Sequence, residues 1–334
     1  MKAAIFHEFG PPEVLRYEDV PDPEPGPGEL VVAVRAVTVN RTLDCLVRAG
    51  DPSQRRRGVA PPHVLGVDPT GVVAALGPGV ERPAVGTRVA CISQLPGGGL
   101  LGIRCWGGDA DYVRVPASIV VPIPDNLPFD EAAAVLRHGP MAHYLLFDLG
   151  GLEPGETVLV MGAAGGLGAT GIQICKAHGA RVICAAGSDE RVQVGLDFGA
   201  DVGINHSKED LTEAAMAATG GEGVNLVFEN ISNPETWPRA LAAMAMRARM
   251  VTAGAHGGGK VELDCGILYH RNLRIIGGTG NTRRNVADTV AAAAAGSLRA
   301  RIQTVLPLSR AAEAHRIVEA GVPLGKIVLD PTLG

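Results

Sequence analysis

The sequence predicts an α/β chain of two domains, a β-rich, loop-rich domain and a doubly wound parallel sheet. Three observations carry that prediction. The chain has 334 residues, which at about 150 residues per domain is room for roughly two. Its texture changes near Pro122, from short β-type runs broken by proline and glycine to strands alternating with helix-length segments. One of those later strands runs straight into a glycine turn that opens a helix.

The first region contains β-type runs at 30–34, 71–75, 87–91 and 111–115, separated by Pro21-Asp22-Pro23-Glu24-Pro25-Gly26-Pro27-Gly28 and by Gly97-Gly98-Gly99. After Pro122, Phe129-Asp130-Glu131-Ala132-Ala133-Ala134 opens a helix. Strands are expected at 157–161, 181–185, 202–204, 225–229, 249–253 and 273–276, with helical segments between most of them. Six such strands fit a doubly wound nucleotide-binding sheet. An alanine-rich helix at 286–296, another at 309–319 and a last strand at 326–329 follow. The residues from 297 onward are expected to fold back on the β-rich region, so the domains are placed at 1–122 with 297–334, and at 123–296. No internal repeat is visible.

Apolar residues make up 46% of the chain, charged residues 19%, and the net charge is −5, a balance that excludes a disordered chain. Glycine (45) and proline (24) point to many tight turns. There is no long basic block, which argues against a nucleic-acid binder. Arg55-Arg56-Arg57 reads as a solvated loop, with anion contact as the alternative. The six cysteines, at 45, 91, 105, 175, 184 and 265, show no CxxC spacing and are expected to be reduced thiols. His7 and Glu8 interrupt the first apolar stretch before it could act as a signal-peptide core, and no long uninterrupted apolar run follows. A soluble cytoplasmic protein is expected, with neither membrane nor nucleic acid as partner.

The strand Thr157-Val158-Leu159-Val160-Met161 leads into Gly162-Ala163-Ala164-Gly165-Gly166-Leu167-Gly168, and helical periodicity covers 169–178. Glycines in this pattern permit a tight turn, let the backbone approach a pyrophosphate and allow close helix–strand packing, while the helix N-terminus offers amide donors. A dinucleotide is the expected ligand. The next strand ends in Gly187-Ser188 with no carboxylate at its tip to accept from a ribose hydroxyl, and Asp189 and Glu190 read as N-terminal acids of the following helix. Ser188, Arg191, Lys176 and His206 are candidates to surround a 2′-phosphate. That favours NADPH over NADH.

The chain resembles the medium-chain dehydrogenases/reductases, in the zinc-independent quinone oxidoreductase-like branch that includes zeta-crystallin and enoyl reductases. The likeness is carried by 1–10 with the following proline-rich turn, Val64-Leu65-Gly66-Val67-Asp68-Pro69-Thr70-Gly71, Val85-Gly86-Thr87-Arg88-Val89, Gly108-Asp109-Ala110-Asp111-Tyr112-Val113, 152–168, Phe198-Gly199-Ala200-Asp201 and Gly325-Lys326-Ile327-Val328-Leu329. It implies a GroES-like substrate domain joined to a Rossmann domain, with the active site in the cleft between them. It also implies cofactor contacts at Asn40, Asn230, Gly254, Ala255, Gly278 and Lys326.

Zinc-dependent relatives need thiolate and imidazole ligands, whereas the corresponding positions here hold Gly66-Val67-Asp68, Asn40-Arg41 and Arg137. No metal is expected, and Cys45, His63 and Asp68 read as a buried thiol, a loop histidine and a hydrogen-bonded carboxylate. Hydride addition to a conjugated double bond or a quinone then becomes the expected chemistry, with a small molecule as substrate. Asn40, Asp44 and Asp68 are the candidate catalytic residues, because 39–44 resembles the family's Asn-x-x-Asp element. Here that element is one residue longer, Leu46 stands where relatives often carry tyrosine, and Met141-Ala142 replaces a Thr-Ala pair. His138 and His143 are either helix-packing side chains or polar groups facing the cleft. Arg41 is a loop residue or an anchor for an acidic substrate. A cofactor-binding protein with little redox activity, a redox-neutral enzyme and an alcohol dehydrogenase are the alternatives. A homodimer joined through the strand 273–276 is expected.

Overall fold

The structure is a computed structural model that describes residues 1–53, 58–321 and 324–333; the arginine triplet 55–57 lies outside the described residues. The chain forms two compact units, Met1–Arg137 with Arg299–Gly334, and His138–Leu298.

The first unit is built on the long strand Glu29–Thr38. Thr70–Leu76 and Tyr112–Pro116 pair with it antiparallel, and Arg88–Cys91 and Val120–Pro122 extend the sheet. Alternation along these strands puts Leu30, Val32, Val34, Val73, Val89 and Val113 into one core. A smaller sheet joins Lys2–Phe6 to Leu15–Asp19 and His63–Val64. The far edge of Glu29–Thr38 is completed by Lys326–Asp330, antiparallel, with Val328 opposite Thr38, and Ile302–Pro307 runs parallel beyond it. The residues from Arg299 onward lie in this β-rich unit. Its other boundary falls after Arg137 and not at 122. The reason is packing: Ala133 of the helix Phe129–His143 lies in a cluster with Ala36 and Val328, Thr70 Oγ1 donates to the Phe129 carbonyl at 2.8 Å, and the Arg88 guanidinium sits 3.9 Å over the Phe129 ring.

The second unit is a six-stranded parallel sheet. Its strands lie in the order Val202–Asn205, Arg181–Ala186, Thr157–Met161, Val224–Glu229, Met244–Thr252 and Arg274–Gly277. That is the 3-2-1-4-5-6 order of a Rossmann sheet. Val158, Leu159, Val160 and Met161 are all buried, as a central strand covered on both faces requires. Three helices of this unit start on side-chain caps: Ser188 accepts from Arg191 N, Asp210 from Glu213 N, and Thr282 with Asn285 forms a capping box; a fourth starts on Asp264, which accepts from Ile267 N. The strand expected at 249–253 begins earlier, at Met244, and the strand expected at 273–276 is shifted by one residue. Beneath the sheet, buried Arg249 donates to both Glu156 oxygens at 2.6 and 2.5 Å and to the carbonyls of Gly150, Gly151 and Asn225. Among the described residues no helix is long and apolar enough to cross a membrane, and the six cysteines are unbridged.

Candidate active site

In the second unit the turn 162–168 is shaped by what its glycines leave out. A Cβ on Gly168 would stand 2.2 Å from the Gly162 carbonyl oxygen, one on Gly166 2.4 Å from the His138 ring, and one on Gly162, whose φ is +72°, 2.7 Å from Ile231. Gly162 N and Ala163 N both donate to the Ala185 carbonyl, at 2.9 and 3.1 Å, so these two hold the turn to the neighbouring strand. Gly165 is the cap of the helix Gly166–Ala177, whose first internal bond runs from Ala169 N to Gly165 O. The N–H groups of Gly166, Leu167 and Gly168 therefore precede the helical ladder, and with Ala164 in the bend they form a cradle open to an anion.

The same sheet edge carries the other expected cofactor contacts. Asn230 follows Val224–Glu229 and its Nδ2 donates to Met161 O at 2.7 Å. Gly254 lets the chain pass close to Asn230, since a Cβ there would fall 1.9 Å from the Asn230 carbonyl oxygen. Ala255 is next in line, and Gly278 N donates to Thr252 O at 3.0 Å. All four lie at the carboxyl ends of parallel strands, where a doubly wound sheet binds its ligand.

At the tip of Arg181–Ala186 the expected set divides. Ser188 and exposed Arg191 stand at the start of the helix Asp189–Asp197, and half-buried His206 places its ring 3.3 Å from where a Gly187 Cβ would be. Burial lowers the pKa of that ring. Asp189 is committed elsewhere: it accepts from Asn205 Nδ2 at 2.6 Å and from the Lys208 ammonium, which together hold its carboxyl below the usual range. Lys176 does not belong to this set. It lies in the last turn of Gly166–Ala177, donating to Asp201 at 2.8 and 2.9 Å and to Ala180 O. At 1.5 Å per residue that is roughly 15 Å along the helix from the cradle. Ser207 and Lys208 also stand at this tip, Ser207 Oγ donating to Gly187 O at 3.0 Å and the Lys208 ammonium to Asp189; the polar run Asn205-His206-Ser207-Lys208 at the end of the third strand is their signal in the sequence.

In the first unit, Asn40, Asp44, Asp68 and Lys326 come together. Asn40 Nδ2 donates to Asp68 Oδ2 at 3.1 Å and to the Thr38 carbonyl at 3.2 Å, and its Oδ1 accepts from Lys326 Nζ at 2.9 Å. Asp68 also accepts from Thr38 N and Thr38 Oγ1, at 2.9 and 2.7 Å. Asp44 Oδ2 accepts from Asn40 N at 2.6 Å, and Oδ1 from Gly66 N at 3.3 Å. The extra residue between Asn40 and Asp44 is absorbed by a π-helical turn, Arg41–Cys45, in which Asn40 O accepts from both Asp44 N and Cys45 N. Burial, and then the nearby Asp68 carboxylate, push the Asp44 carboxyl up to about 7. Asp109, 1% exposed, adjoins this group; burial together with Asp44 and Asp68 raises its carboxyl well above the ordinary range. The Lys326 ammonium is pulled down to about 8 by burial and Arg137, against the opposing pull of Asp68 and Asp44.

Cys45, His63 and Asp68 do not converge: the thiol points to the His315 carbonyl, and His63 Nε2 is 3.0 Å from the Gly102 carbonyl. His138 packs on Gly166, and His143 stacks on Phe147 with ring centroids 5.6 Å apart. Arg41 is exposed at the head of the π-helical turn.

Comparison with known proteins places these features in a family. Residues 26–125 match the alcohol dehydrogenase GroES-like domain, and residues 166–295 match the zinc-binding dehydrogenase domain. A quinone oxidoreductase of Rattus norvegicus is 29% identical, over 98% of this chain and 97% of its own. A 2-haloacrylate reductase of a Burkholderia species is 31% identical over 98% of both. Among solved structures, an NAD-dependent alcohol dehydrogenase superposes with TM-score 0.89 at 34% identity over 99% of each chain. The Escherichia coli quinone oxidoreductase complexed with NADPH superposes with TM-score 0.84 at 28% identity, over 99% of this chain and 100% of that one. With both domain matches in chain order and relatives aligned almost end to end, the protein belongs to the medium-chain dehydrogenase/reductase superfamily of oxidoreductases, in its quinone oxidoreductase-like branch.

Proposed function

We propose that this oxidoreductase uses NADPH to reduce a quinone or the C=C bond of an α,β-unsaturated carbonyl compound, without zinc, as a cytoplasmic enzyme. The observation that carries the reading is the cradle 162–168 beside a strand tip where the acidic side chain, Asp189, is already bonded to Asn205 and Lys208. The cradle suits a pyrophosphate because its glycines let the turn close tightly on Gly162, Ile231 and His138, leaving the first N–H groups of the helix Gly166–Ala177 outside the helical ladder. Ser188, Arg191, His206 and Lys208 would hold a 2′-phosphate, and Asn230, Gly254, Ala255 and Gly278 would line the rest of the bound dinucleotide. When bound, the nicotinamide supplies the hydride. This chain's residues then have to orient the acceptor and stabilise the charge that develops on its carbonyl oxygen. The cluster of the first unit is suited to that: Asn40 is fixed by bonds to Asp68 and Thr38, and it presents the Lys326 ammonium. At the positions where zinc-dependent relatives place metal ligands, Asn40 and Asp68 are instead tied to each other and to Thr38.

The deciding experiment follows NADPH and NADH oxidation with a panel of quinones and enones. Turnover with NADPH supports the reading. Tight NADPH binding with no turnover on any member favours a cofactor-binding protein, and product formed without net cofactor oxidation favours redox-neutral chemistry. The likeness to an NAD-dependent alcohol dehydrogenase favours a second reading, which zinc content and alcohol oxidation with NAD would establish.

We further propose a homodimer formed through Arg274–Gly277, which ends the six-stranded sheet and leaves one strand edge without a sheet neighbour among the described residues. Light scattering at micromolar concentration should report a dimer, and a monomer there refutes it.

A further inference from the structure

We propose that Lys326 is the proton donor of the reduction, passing an ammonium proton to the enolate that hydride addition leaves on an enone substrate. The inference rests on the reductase reading above and supplies the proton source it lacks.

Three features of the first unit point to this side chain. The stem of Lys326 is anchored where the strand Lys326–Asp330 begins, with its backbone N donating to Arg301 O at 2.7 Å. Its ammonium is aimed by a single bond to Asn40 Oδ1, and among the described residues it has no other acceptor, so two of its three N–H bonds are available. The residue is partly buried. The neighbouring acids are placed differently. Both oxygens of Asp44 accept backbone N–H groups, and both oxygens of Asp68 accept from Thr38 or Asn40, so both carboxyl groups are held in place by the protein's own donors. Asp109 is closed off at 1% exposure, and His63 is spent on the Gly102 carbonyl.

The charged groups facing Lys326 are Asp68, from the loop after His63–Val64, Asp44, from the π-helical turn, and Arg137, from the helix Phe129–His143. Burial and Arg137 make the ammonium more acidic than a free lysine, to about 8, against the opposing pull of Asp68 and Asp44. A donor near the working pH is the useful one. In the step itself a C–H bond of bound NADPH would break, its electron pair leaving with the hydride to form the new bond at the β-carbon while the cofactor is oxidised to NADP⁺, and the C=C pair would shift so that charge rests on the carbonyl oxygen. One N–H bond of Lys326 then breaks, its electrons remain on Nζ, and the proton forms an O–H or an α C–H bond. Water reprotonates the amine.

The test compares the wild type with Lys326→Arg and Lys326→Ala on one enone that the wild type reduces. Arginine keeps the charge and a bond to Asn40 but gives up no proton in this pH range. The wild-type kcat should fall as pH rises through about 8, the sense expected when a required acid loses its proton. Lys326→Arg should lose about a hundredfold in kcat together with that alkaline limb, and small primary amines should restore part of the Lys326→Ala activity. A Lys326→Arg enzyme within about threefold of wild type, with the same pH profile, overturns the proposal. So does a folded Lys326→Ala enzyme with no amine response. Should the alanine variant not fold, the arginine variant decides alone. Deuterium transfer from labelled NADPH separates the two levels: label reaching product in the wild type with an unimpaired Lys326→Arg sinks only the donor, whereas no transfer in the wild type sinks the reductase reading itself.

Discussion

Replacing Asp109 by asparagine should stabilise the protein near neutral pH, and by more as the pH rises. Asp109 is 1% exposed, and its Oδ1 has no hydrogen-bond partner among the described residues. Its backbone is committed on both sides, donating to Leu65 O at 2.9 Å and accepting from Ala4 N at 2.8 Å, so the side chain has no route to water. Burial, with Asp44 and Asp68 nearby, raises its carboxyl well above the range of an unfolded aspartate. The native state thus keeps a proton that the unfolded chain releases, and stability must fall as pH rises, by about 1.4 kcal/mol for each pH unit over which the two states differ by one proton. Asparagine imitates the protonated carboxyl in shape and binds no proton. The variant and the wild type should therefore match near pH 4 and diverge above it. In a unit of this size each 1.4 kcal/mol corresponds to about 3–6 °C in Tm. Calorimetry across about pH 4 to 8 measures the gap. A weaker slope persists in the variant, because the raised Asp44, at about 7, titrates in both proteins. Parallel curves for the two proteins, or a variant less stable throughout, would refute the account of a buried proton.

Asn40→Ala should lower kcat/KM by about tenfold or more while NADPH affinity changes little, since the amide contacts Lys326 and the cradle is elsewhere; a fall in Tm with unchanged kinetics would make Asn40 merely a local brace through Thr38. NADPH should bind at least about tenfold tighter than NADH, about 1.4 kcal/mol. Fluorescence titration should show that preference eroded in a His206→Ala, Arg191→Ala double variant and intact in Lys176→Ala; the opposite pattern would return Lys176 to the phosphate site. Arg249→Leu should cost about 3 kcal/mol, because it leaves Glu156 and three carbonyls without their donor, and a denaturant midpoint close to wild type would contradict that role.

The elements that were legible before the structure are those whose pattern is local. The strand 157–161 is an unbroken apolar run ending in glycines, and it is found where expected. The strand expected at 249–253 begins at Met244 and not at 249: Met246 and Arg247 are exposed and Arg247 has φ +61°, so no apolar pattern announces that stretch, and the pairing of Met244 with Val224 marks it as sheet. The unit boundary was placed too early because Ala133, a small residue in an alanine run, gives no sign in sequence that it packs on Ala36 and Val328. Lys176 is a cation of the right chemistry for a phosphate, but helical rise carries it to the end of Gly166–Ala177 far from the glycine turn. Asp109 looked like any loop acid. Its burial is set by the chain crossing at Gly66, where a Cβ would lie 2.6 Å from its Oδ1, and no local pattern records a crossing.

The strand Lys326–Asp330 also dictates an order of assembly. It is inserted between Ile302–Pro307 and Glu29–Thr38, so the unit that begins at Met1 waits for residues synthesised after the whole of His138–Leu298. On the ribosome the continuous nucleotide-binding unit can close as a block while Val37 and Thr38 still lack the neighbours that Leu329 and Val328 will provide. A chain interrupted before residue 326 would be left with an open edge on its earliest long strand and with Asn40 missing its lysine. Completion of that sheet is in effect a check that translation has run through this strand.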